Sequence, residues 1–282
     1  MSDIKIGVIG GSGIYKLEGI DFVKDHKIET PFGSPSGMVK ELKVGDDHFY
    51  FIPRHGEGHF ITPSEINYRA NIFALKSLGV STVISISAVG SLKEELSPTM
   101  FVLPDQFIDW TKGKRERTFF EKGMVGHVSV ANPVELGLQK ILGNLCKEVG
   151  INYSMGGSYV CIEGPQFSTK AESAIYRNFG CSVIGMTNVP ESYLAKEAGM
   201  AYATVAAVTD YDCWKQEHCT LEEIMKVMEK NYQSAQKLIT ATITHLSKNP
   251  FQFIPENKYS VVTKKELLSA EHQEILKVLL KE

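Results

Sequence analysis

The sequence predicts an α/β protein, in which the strands of a central sheet alternate with helices. Short apolar runs of strand length alternate with longer amphipathic stretches of helix length. Four of the helical stretches end at a glycine that precedes the next strand: Gly79, Gly150, Gly180 and Gly199. Glycine readily takes the left-handed conformation that ends a helix, and this repetition is typical of a wound α/β sheet. No repeat or low-complexity linker divides the chain, so we expect one domain over residues 1–282.

The individual elements follow in order from the same patterns. Apolar, often β-branched runs predict strands at residues 4–9, 48–53, 81–87, 158–162, 182–185 and 201–208. Helical periodicity predicts helices at residues 64–78, 134–149, 169–179, 189–198, 221–246 and, near the C-terminus, about 264–280. Three helix starts fit the capping-box spacing of threonine and glutamate: Thr169 with Glu172, Thr220 with Glu223, and Thr263 with Glu266.

The composition is that of an ordinary globular protein and argues against several classes of function. The 282 residues are 43% hydrophobic and 22% charged, with a net charge of −3 and a pI near 6.3. No basic run indicates a nucleic-acid surface, and no apolar stretch reaches the roughly 20 residues that span a bilayer. The five cysteines form no C-x-x-C pair, and the N-terminus lacks the apolar core of a signal peptide. We therefore expect a cytoplasmic protein with neither nucleic-acid nor membrane partners.

Two carboxylates, Asp210 and Asp212, stand one residue apart directly after the apolar run 201–208. Ligands of open α/β sheets bind beyond the carboxyl ends of the strands. An acid pair at that place can bind an amino-bearing heterocycle and donate a proton to a departing ring nitrogen. The pair therefore indicates an enzyme that acts on adenine-type nucleosides. The alternative is that Asp210 caps a turn and Asp212 is solvated, and position alone does not decide between the two.

A glycine-rich turn, Gly10-Gly11-Ser12-Gly13, follows the first predicted strand. The backbone N–H groups of such a turn can approach an anion, and Ser12 adds a hydroxyl donor. The dinucleotide fingerprint G-x-G-x-x-G would need a small residue where the chain has Lys16, which disfavours an NAD-dependent oxidoreductase. A tight turn without a ligand remains the alternative for this loop.

Polar side chains also follow other strand ends. Arg54 and His55 come after one strand; a guanidinium can bind phosphate bidentately, and an imidazole can donate a further hydrogen bond. Ser87 and Thr187 place hydroxyls at two more strand ends. Each of these alone could be a surface pair or turn chemistry, but on neighbouring strands they would converge with the glycine loop on one anion. His59 lies near His55, yet no third ligand accompanies the two, so we predict no metal site.

Five segments together resemble the nucleoside phosphorylase superfamily, and most of all its trimeric members that act on 5′-methylthioadenosine. The segments lie in family order at residues 6–13, 54–78, 88–92, 163–173 and 185–214. They include the runs R-H-G-E-G-H-F-I-T-P-S-E and E-G-P-Q-F-S-T-K-A-E-S. The resemblance implies a three-layer α/β/α sandwich around a mixed, partly barrel-like sheet. It also implies that inorganic phosphate attacks the anomeric carbon, giving adenine and 5-methylthioribose 1-phosphate in purine and methionine salvage.

The resemblance further implies roles for individual residues. Phosphate would be held by Ser12, Arg54, His55, Ser87, the backbone of Ala88, and Thr187. Asp210 would protonate ring nitrogen 7 of the purine, and Asp212 would accept from its 6-amino group. The other substrate contacts would come from Phe167, Ser168 and Met186 near the base and ribose, and from His127, Leu221 and Ile224 around the 5′ substituent. Inorganic phosphate is then a co-substrate and no cofactor is needed. The family also implies a homotrimer, with His127 supplied by the neighbouring subunit.

The acid pair bears on the choice of base. Related phosphorylases of 6-oxopurines carry an asparagine where this chain has Asp210, and an ionised carboxylate can only accept a hydrogen bond. The chain is therefore expected to prefer 6-amino purines, and the apolar Leu221 and Ile224 favour a methylthio group over a hydroxyl. Three alternatives stay open: a phosphorylase of adenosine or of 6-oxopurine nucleosides, a nucleoside hydrolase, and a nucleoside-binding protein without catalysis. A hydrolase would not need Arg54, His55 and Thr187.

Overall fold

A computed structural model describes residues 4–11, 19–215 and 221–281 of the chain. Its single sheet contains 11 strands. In chain order these are β1 (Ile6–Gly10), β2 (Asp21–His26), β3 (Val39–Val44), β4 (Asp47–Pro53), β5 (Thr82–Ser91), β6 (Phe101–Leu103), β7 (Gln106–Trp110), β8 (Tyr153–Met155), β9 (Ser158–Ile162), β10 (Val183–Gly185) and β11 (Ala201–Asp210).

The sheet is mixed and forks at β5. One path runs β2-β3-β4-β1-β5-β10-β9-β7, while β11 also pairs with β5 and leads through β6 to β8. Strand β5 is parallel to β1 and β11 but antiparallel to β10. Short connections join the two arms of the fork: β6 and β8 of one arm lead directly into β7 and β9 of the other. The mixed sheet that the sequence predicts is confirmed, and the rejoined arms form its partly barrel-like part.

Six α-helices surround the sheet: α1 (Tyr68–Ser77), α2 (Leu136–Glu148), α3 (Lys170–Asn178), α4 (Asn188–Glu197), α5 (Leu221–Lys248) and α6 (Ala270–Leu279). Successive side chains of a strand point to opposite faces, so the central strands serve two cores. Val8 and Val205 pack on the side of α2 and α5. Ile9 and Tyr202 pack on the side of α1, α4 and α6. The result is the predicted arrangement of helix, sheet and helix layers. Within the described ranges, none of the helices combines the length and apolarity needed to cross a membrane.

The helix ends that the sequence predicts are confirmed more closely than the helix starts. All four predicted stop glycines have a left-handed backbone, with φ between 61° and 83°. The capping box of Thr169 and Glu172 is formed at α3, whereas Thr220 lies outside the described residues. Helix α1 begins at Tyr68 rather than at 64, because residues 62–65 close a turn on themselves and Asn67 caps the helix.

The C-terminal helix is shorter than the predicted 264–280. Ser269 caps α6 by accepting from the N–H of His272. Thr263, the predicted cap, instead accepts a hydrogen bond from the N–H of Val125. The sequence also gave no prediction for β2, β3, β6, β7 and β8. Strand β2 is exposed and charged and lies at a sheet edge, and β6 and β8 are only 3 residues long, so none of these carries a strong apolar signal.

One buried carboxylate joins two parts of this fold and predicts a pH dependence of stability. Glu197, at the end of α4, accepts from the N–H of Phe119 and the hydroxyl of Thr118, both at 2.7 Å. Burial raises the pKa of Glu197 from 4.5 to about 7. The folded state therefore holds a proton that the unfolded state has released, and stability is lost as the pH rises from 4.5 to about 7.

We expect the Glu197→Gln variant to lose this part of the pH dependence, since an amide does not titrate. Thermal unfolding should be followed across that pH range in both proteins. The melting temperature of the wild type should fall with rising pH more steeply than that of the variant. Parallel curves for the two proteins would contradict the assignment to Glu197.

Candidate active site

The polar strand ends that the sequence singles out lie together at one edge of the sheet. Strand β1 pairs with β4, with Gly10 opposite Pro53, and the N–H of Arg54 donates to the carbonyl of Gly10 at 2.9 Å. Strand β10 delivers Thr187 next to β5, so that the hydroxyls of Ser87 and Thr187 are 3.3 Å apart. The hydroxyls of Ser87 and Thr187 thus meet as the sequence predicts, although Ser87 lies within β5, which continues to Ser91, and not at the strand end that the sequence predicts. Ala88, the residue after Ser87, is exposed. Its backbone is therefore accessible to a ligand in an open site.

Arg54 is almost fully buried and is held by an ion pair with Glu191 of α4. Its Nε donates to Glu191 at 2.7 Å and its Nη2 donates to the second carboxylate oxygen at 2.9 Å. Nη1 donates to the carbonyl of Ile86 at 2.8 Å, and Nη2 also reaches the hydroxyl of Ser85. Burial opposes the charge, yet the Glu191 carboxylate raises the pKa of Arg54 above its ordinary value. Most N–H groups of Arg54 are thus engaged within the protein, so the guanidinium cannot bind phosphate bidentately as the sequence predicts.

Glu191 is the acceptor around which this corner is built, and no local sequence pattern predicts it. The residue is 1% exposed. Besides Arg54, it accepts from the hydroxyls of Ser85 at 2.7 Å and Tyr202 at 2.9 Å. The neighbouring Asn188 donates to Ser85, Tyr202 and Thr204. Helix α4 starts at the predicted phosphate residue Thr187, so the helix that carries Glu191 also fixes the hydroxyl beside Ser87.

His55 lies half-buried in a loop that closes on itself. Its Nδ1 is 2.8 Å from the carbonyl oxygen of Ile61, and the N–H of Ile61 donates back to the carbonyl of His55 at 3.1 Å. His59 stacks on the imidazole with the ring centres 4.3 Å apart. Burial lowers the pKa of His55 to about 4, and the charge of Arg54 acts in the same direction. The imidazole is therefore neutral near pH 7.

The acid pair lies at the end of β11, where a bulge changes the direction of the chain. The pairing with β5 shifts register between Val208 and Asp210, and the hydroxyl of Thr209 donates to both the carbonyl of Val89 and the carboxylate of Asp210. The other oxygen of Asp210 accepts from the N–H of Asp212 at 2.9 Å. Asp212 has a left-handed backbone, with φ of 48°. Burial raises the pKa of Asp212, and the Asp210 charge contributes to the rise.

The predicted base-side residues come from the loop between β9 and α3 and from the end of β10. The carbonyl of Ser168 accepts from the thiol of Cys213 at 3.3 Å, which places Ser168 beside Asp212. Met186 and Trp214 both pack against the buried cluster that contains Ile162 and Ile184. Phe167, from the same loop as Ser168, is exposed. The sequence patterns include Glu163 only as part of the E-G-P-Q-F run and predict no role for its side chain. Its carboxylate accepts from the hydroxyl of Ser64, the N–H of Lys112 and the guanidinium of Arg115, and so ties this loop to two others.

The described structure does not place four of the predicted site residues at the site. Ser12 lies outside the described residues. Leu221 and Ile224 belong to α5, but their side chains also lie outside the description. His127 is exposed, and its N–H donates to the carbonyl of Ser260. No contact within the described ranges joins His127 to Asp210 or Thr187.

Comparison with known proteins agrees with this geometry. The model of the phosphorylase superfamily matches residues 5–244. A relative named S-methyl-5′-thioadenosine phosphorylase from Geobacter sulfurreducens is 43% identical over 278 residues, covering 98% of this chain and 97% of the relative. One of the same name from Bradyrhizobium diazoefficiens is 49% identical, covering 85% of this chain and 82% of its own length.

Solved structures agree as well. A methylthioadenosine phosphorylase from an antarctic soil metagenomic library superimposes with a TM-score of 0.93 at 41% identity, covering 99% of this chain and all of the other. The methylthioadenosine phosphorylase from Schistosoma mansoni in complex with adenine has a TM-score of 0.82 at 36% identity, with 87% of this chain and 93% of that chain covered. By its sequence and its fold, the chain belongs to the phosphorylase superfamily.

Proposed function

We propose that this protein cleaves S-methyl-5′-thioadenosine with inorganic phosphate, giving adenine and 5-methylthioribose 1-phosphate. The observation that carries the proposal is that carboxylates and hydroxyls meet along β5: Asp210 pairs opposite Gly90 of β5, and Thr187, which follows β10, lies 3.3 Å from Ser87 of β5. The acidic side suits a purine and the hydroxyl side suits a phosphate. The printed names of the relatives, at 43% and 49% identity, support the same substrate.

On the phosphate side, the co-substrate would lie over the carboxyl ends of β1, β4 and β5. Ser87 and Thr187 would donate hydroxyl hydrogen bonds, together with the backbone of Ala88, Ser12 and the one N–H of Arg54 that has no partner among the described residues. Holding phosphate in line with the anomeric carbon lowers the entropic part of the barrier. The phosphate charge also stabilises the oxocarbenium character of the breaking glycosidic bond.

On the base side, the purine would lie against Phe167, Ser168 and Met186. Asp210 would face ring nitrogen 7, and Asp212 would face the 6-amino group. A purine leaves readily only after it gains a proton, so an acid in this position accelerates cleavage. Burial raises the pKa of Asp212, the member of the pair that would face the 6-amino group. Since every step is a proton transfer or a displacement by phosphate, the reaction needs neither a metal nor an organic cofactor.

We also propose that the protein is a homotrimer in which His127 completes the 5′ end of the neighbouring subunit's site. The exposed position of His127, apart from the acid pair of its own subunit, supports this arrangement. A closed cyclic trimer should give one species in analytical ultracentrifugation, at three times the 31.3 kDa mass of the chain. A monomer or dimer would refute the trimer and leave His127 without a role.

The first test of the function is a base-release assay with methylthioadenosine, adenosine and inosine, each with and without phosphate. We expect adenine release that requires phosphate and is fastest from methylthioadenosine. Release that does not depend on phosphate would identify a nucleoside hydrolase instead. A preference for inosine would mean that the acid pair does not recognise a 6-amino group.

The second test is the Asp210→Asn variant, which removes the proposed acid but keeps the shape of the side chain. Because general acid catalysis contributes on the order of a hundredfold or more, kcat/KM for methylthioadenosine should fall by about that factor. Inosine should be affected much less, since an amide can donate to a 6-oxo group. Asp46→Asn, in the exposed turn between β3 and β4, is the matched control and should be unchanged. An equal loss for both nucleosides would count against base selection by Asp210.

The third test is Arg54→Lys, which keeps the positive charge but loses the planar fork that meets Glu191 and β5. We expect KM for phosphate to rise by roughly tenfold or more, as for the loss of a hydrogen bond to a charged group, while KM for methylthioadenosine changes little. Initial rates with each substrate varied in turn separate the two constants. An unchanged KM for phosphate would remove Arg54 from the phosphate site.

A further inference from the structure

We propose, on the basis of the phosphorolytic function above, that Trp214 is a positioning residue for the acid pair. Its indole fastens the turn that carries Asp212 to strand β5 and to helix α3. The Asp212 carboxylate is thereby held where it meets the 6-amino group of the purine. In this role Trp214 determines how strongly the site selects a 6-amino base, and it leaves the binding of phosphate unchanged.

The turn after β11 needs support from outside, because its backbone takes an unfavourable conformation. Asp212 has a φ of 48°, which lies in the left-handed region that non-glycine residues seldom adopt. Such a conformation persists where the surrounding structure holds it. Within the turn, a carboxylate oxygen of Asp210 accepts from the N–H of Asp212 at 2.9 Å. The place of Asp212 therefore also affects the carboxylate of Asp210.

Trp214 supplies this support from two residues further along the chain. Its indole N–H donates to the carbonyl of Ser91 at 2.8 Å. Ser91 is the last residue of β5 and follows Gly90, which pairs opposite Asp210. The turn is thus attached to one strand at both of its ends, by the sheet register at Asp210 and by the indole at Trp214. Asp212 lies between the two attachments.

Helix α3 keeps the indole itself in place. The guanidinium of Arg177 lies over the indole, with Cζ 3.9 Å from the ring centre, and its Nε donates to the carbonyl of Leu92 at 3.2 Å. The negative face of an aromatic ring attracts such a cation. The ring of Tyr211 also meets the indole nearly at a right angle, with the ring centres 5.7 Å apart. A cation from α3 and a ring from the turn thus both restrict the rotation of Trp214.

Helix α3 also follows the loop on which the purine would lie. Phe167 and Ser168 directly precede Thr169, the cap of the helix. The thiol of Cys213 donates to the carbonyl of Ser168 at 3.3 Å, so the turn contacts this loop as well as the helix. Within the described ranges, no hydrogen bond or ring contact joins the indole to the predicted phosphate residues. The anchor therefore acts on the base side of the site.

The Trp214→Phe variant removes this anchor with little change in packing. It keeps an aromatic ring beneath Arg177 and loses the N–H that meets Ser91. The chain contains 2 tryptophans, and the other one provides the matched control. Trp110 on β7 packs edge-on against Tyr176 of α3, with the ring centres 5.8 Å apart. Trp110→Phe thus makes the same exchange against the same helix but leaves the anchor at Ser91 intact.

The test compares adenine with unsubstituted purine, which lacks the 6-amino group. Both bases are measured as competitive inhibitors of methylthioadenosine cleavage. We expect the wild type and Trp110→Phe to bind adenine roughly tenfold or more tightly than purine, the order of a hydrogen bond to a charged group. In Trp214→Phe this ratio should fall towards one, and KM for methylthioadenosine should rise by a similar factor. Both kcat and KM for phosphate should change little, as for an interaction made equally in the bound substrate and the transition state.

A fluorescence measurement decides the matter even if Trp214→Phe does not fold. In Trp110→Phe the indole of Trp214 is the remaining tryptophan, and its emission should change as adenine binds and saturate at the adenine Ki. An emission that adenine leaves unchanged would overturn the proposal. A wild-type ratio near one, equal ratios in the two variants, or a parallel rise in KM for phosphate in Trp214→Phe would overturn it as well. Each of these results leaves phosphate-dependent adenine release by the wild type intact, whereas absence of that release would refute the proposed function itself.

Discussion

Arg54 and Glu191 form an ion pair almost completely removed from water, and the strand ends of the site are arranged around it. The two side chains are 3% and 1% exposed. They bring together the end of β4, the start of α4, the middle of β5 and, through Tyr202, strand β11. A buried charge without its partner costs about 3–5 kcal/mol, so neither side chain can leave without loosening several elements. This constraint explains two of the hydroxyls in this corner: those of Ser85 and Tyr202 satisfy carboxylate and guanidinium positions that water cannot reach.

The acid pair depends on backbone features instead of a buried charge. The bulge before Asp210 turns the chain out of the regular ladder, as bulges commonly do beside binding sites. Gly90 lies opposite Asp210 in the register, and a Cβ there would come within 3.1 Å of the side chain of Ile184 and contact Asp212 at 3.4 Å. The phosphate side is thus held by electrostatics and the base side by chain geometry. Changes on one side need not disturb the other, which fits a site that must recognise two different molecules.

Sequence patterns predicted the parts of this structure that depend on local chemistry. The glycine stops, the apolar strands and the capping box at Thr169 all arise from neighbouring residues, and the structure contains them. Arg54, Ser87 and Thr187 were predicted to converge if their strands are neighbours, and the pairing of β1 with β4 and β5 and of β10 with β5 makes them so. The edge strand β2 and its neighbour β3 were missed, since exposed or alternating charged residues give little apolar signal. Glu191 was missed because its partner is 137 residues away in the chain, and no local pattern distinguishes a buried glutamate from a solvated one.

The tertiary contacts also change the chemical meaning of residues that the sequence singled out. From the sequence, Arg54 and His55 suggest a positively charged phosphate site. In the structure Arg54 is neutralised by Glu191, and burial keeps His55 uncharged near pH 7. None of the predicted phosphate residues that the structure describes therefore carries an uncompensated positive charge. In the proposed reaction a bound dianion would find its strongest positive partner in the ribose itself, as the glycosidic bond breaks and oxocarbenium character develops. An attraction that grows only as the bond breaks stabilises the transition state more than the bound substrates, and this difference is what accelerates a reaction.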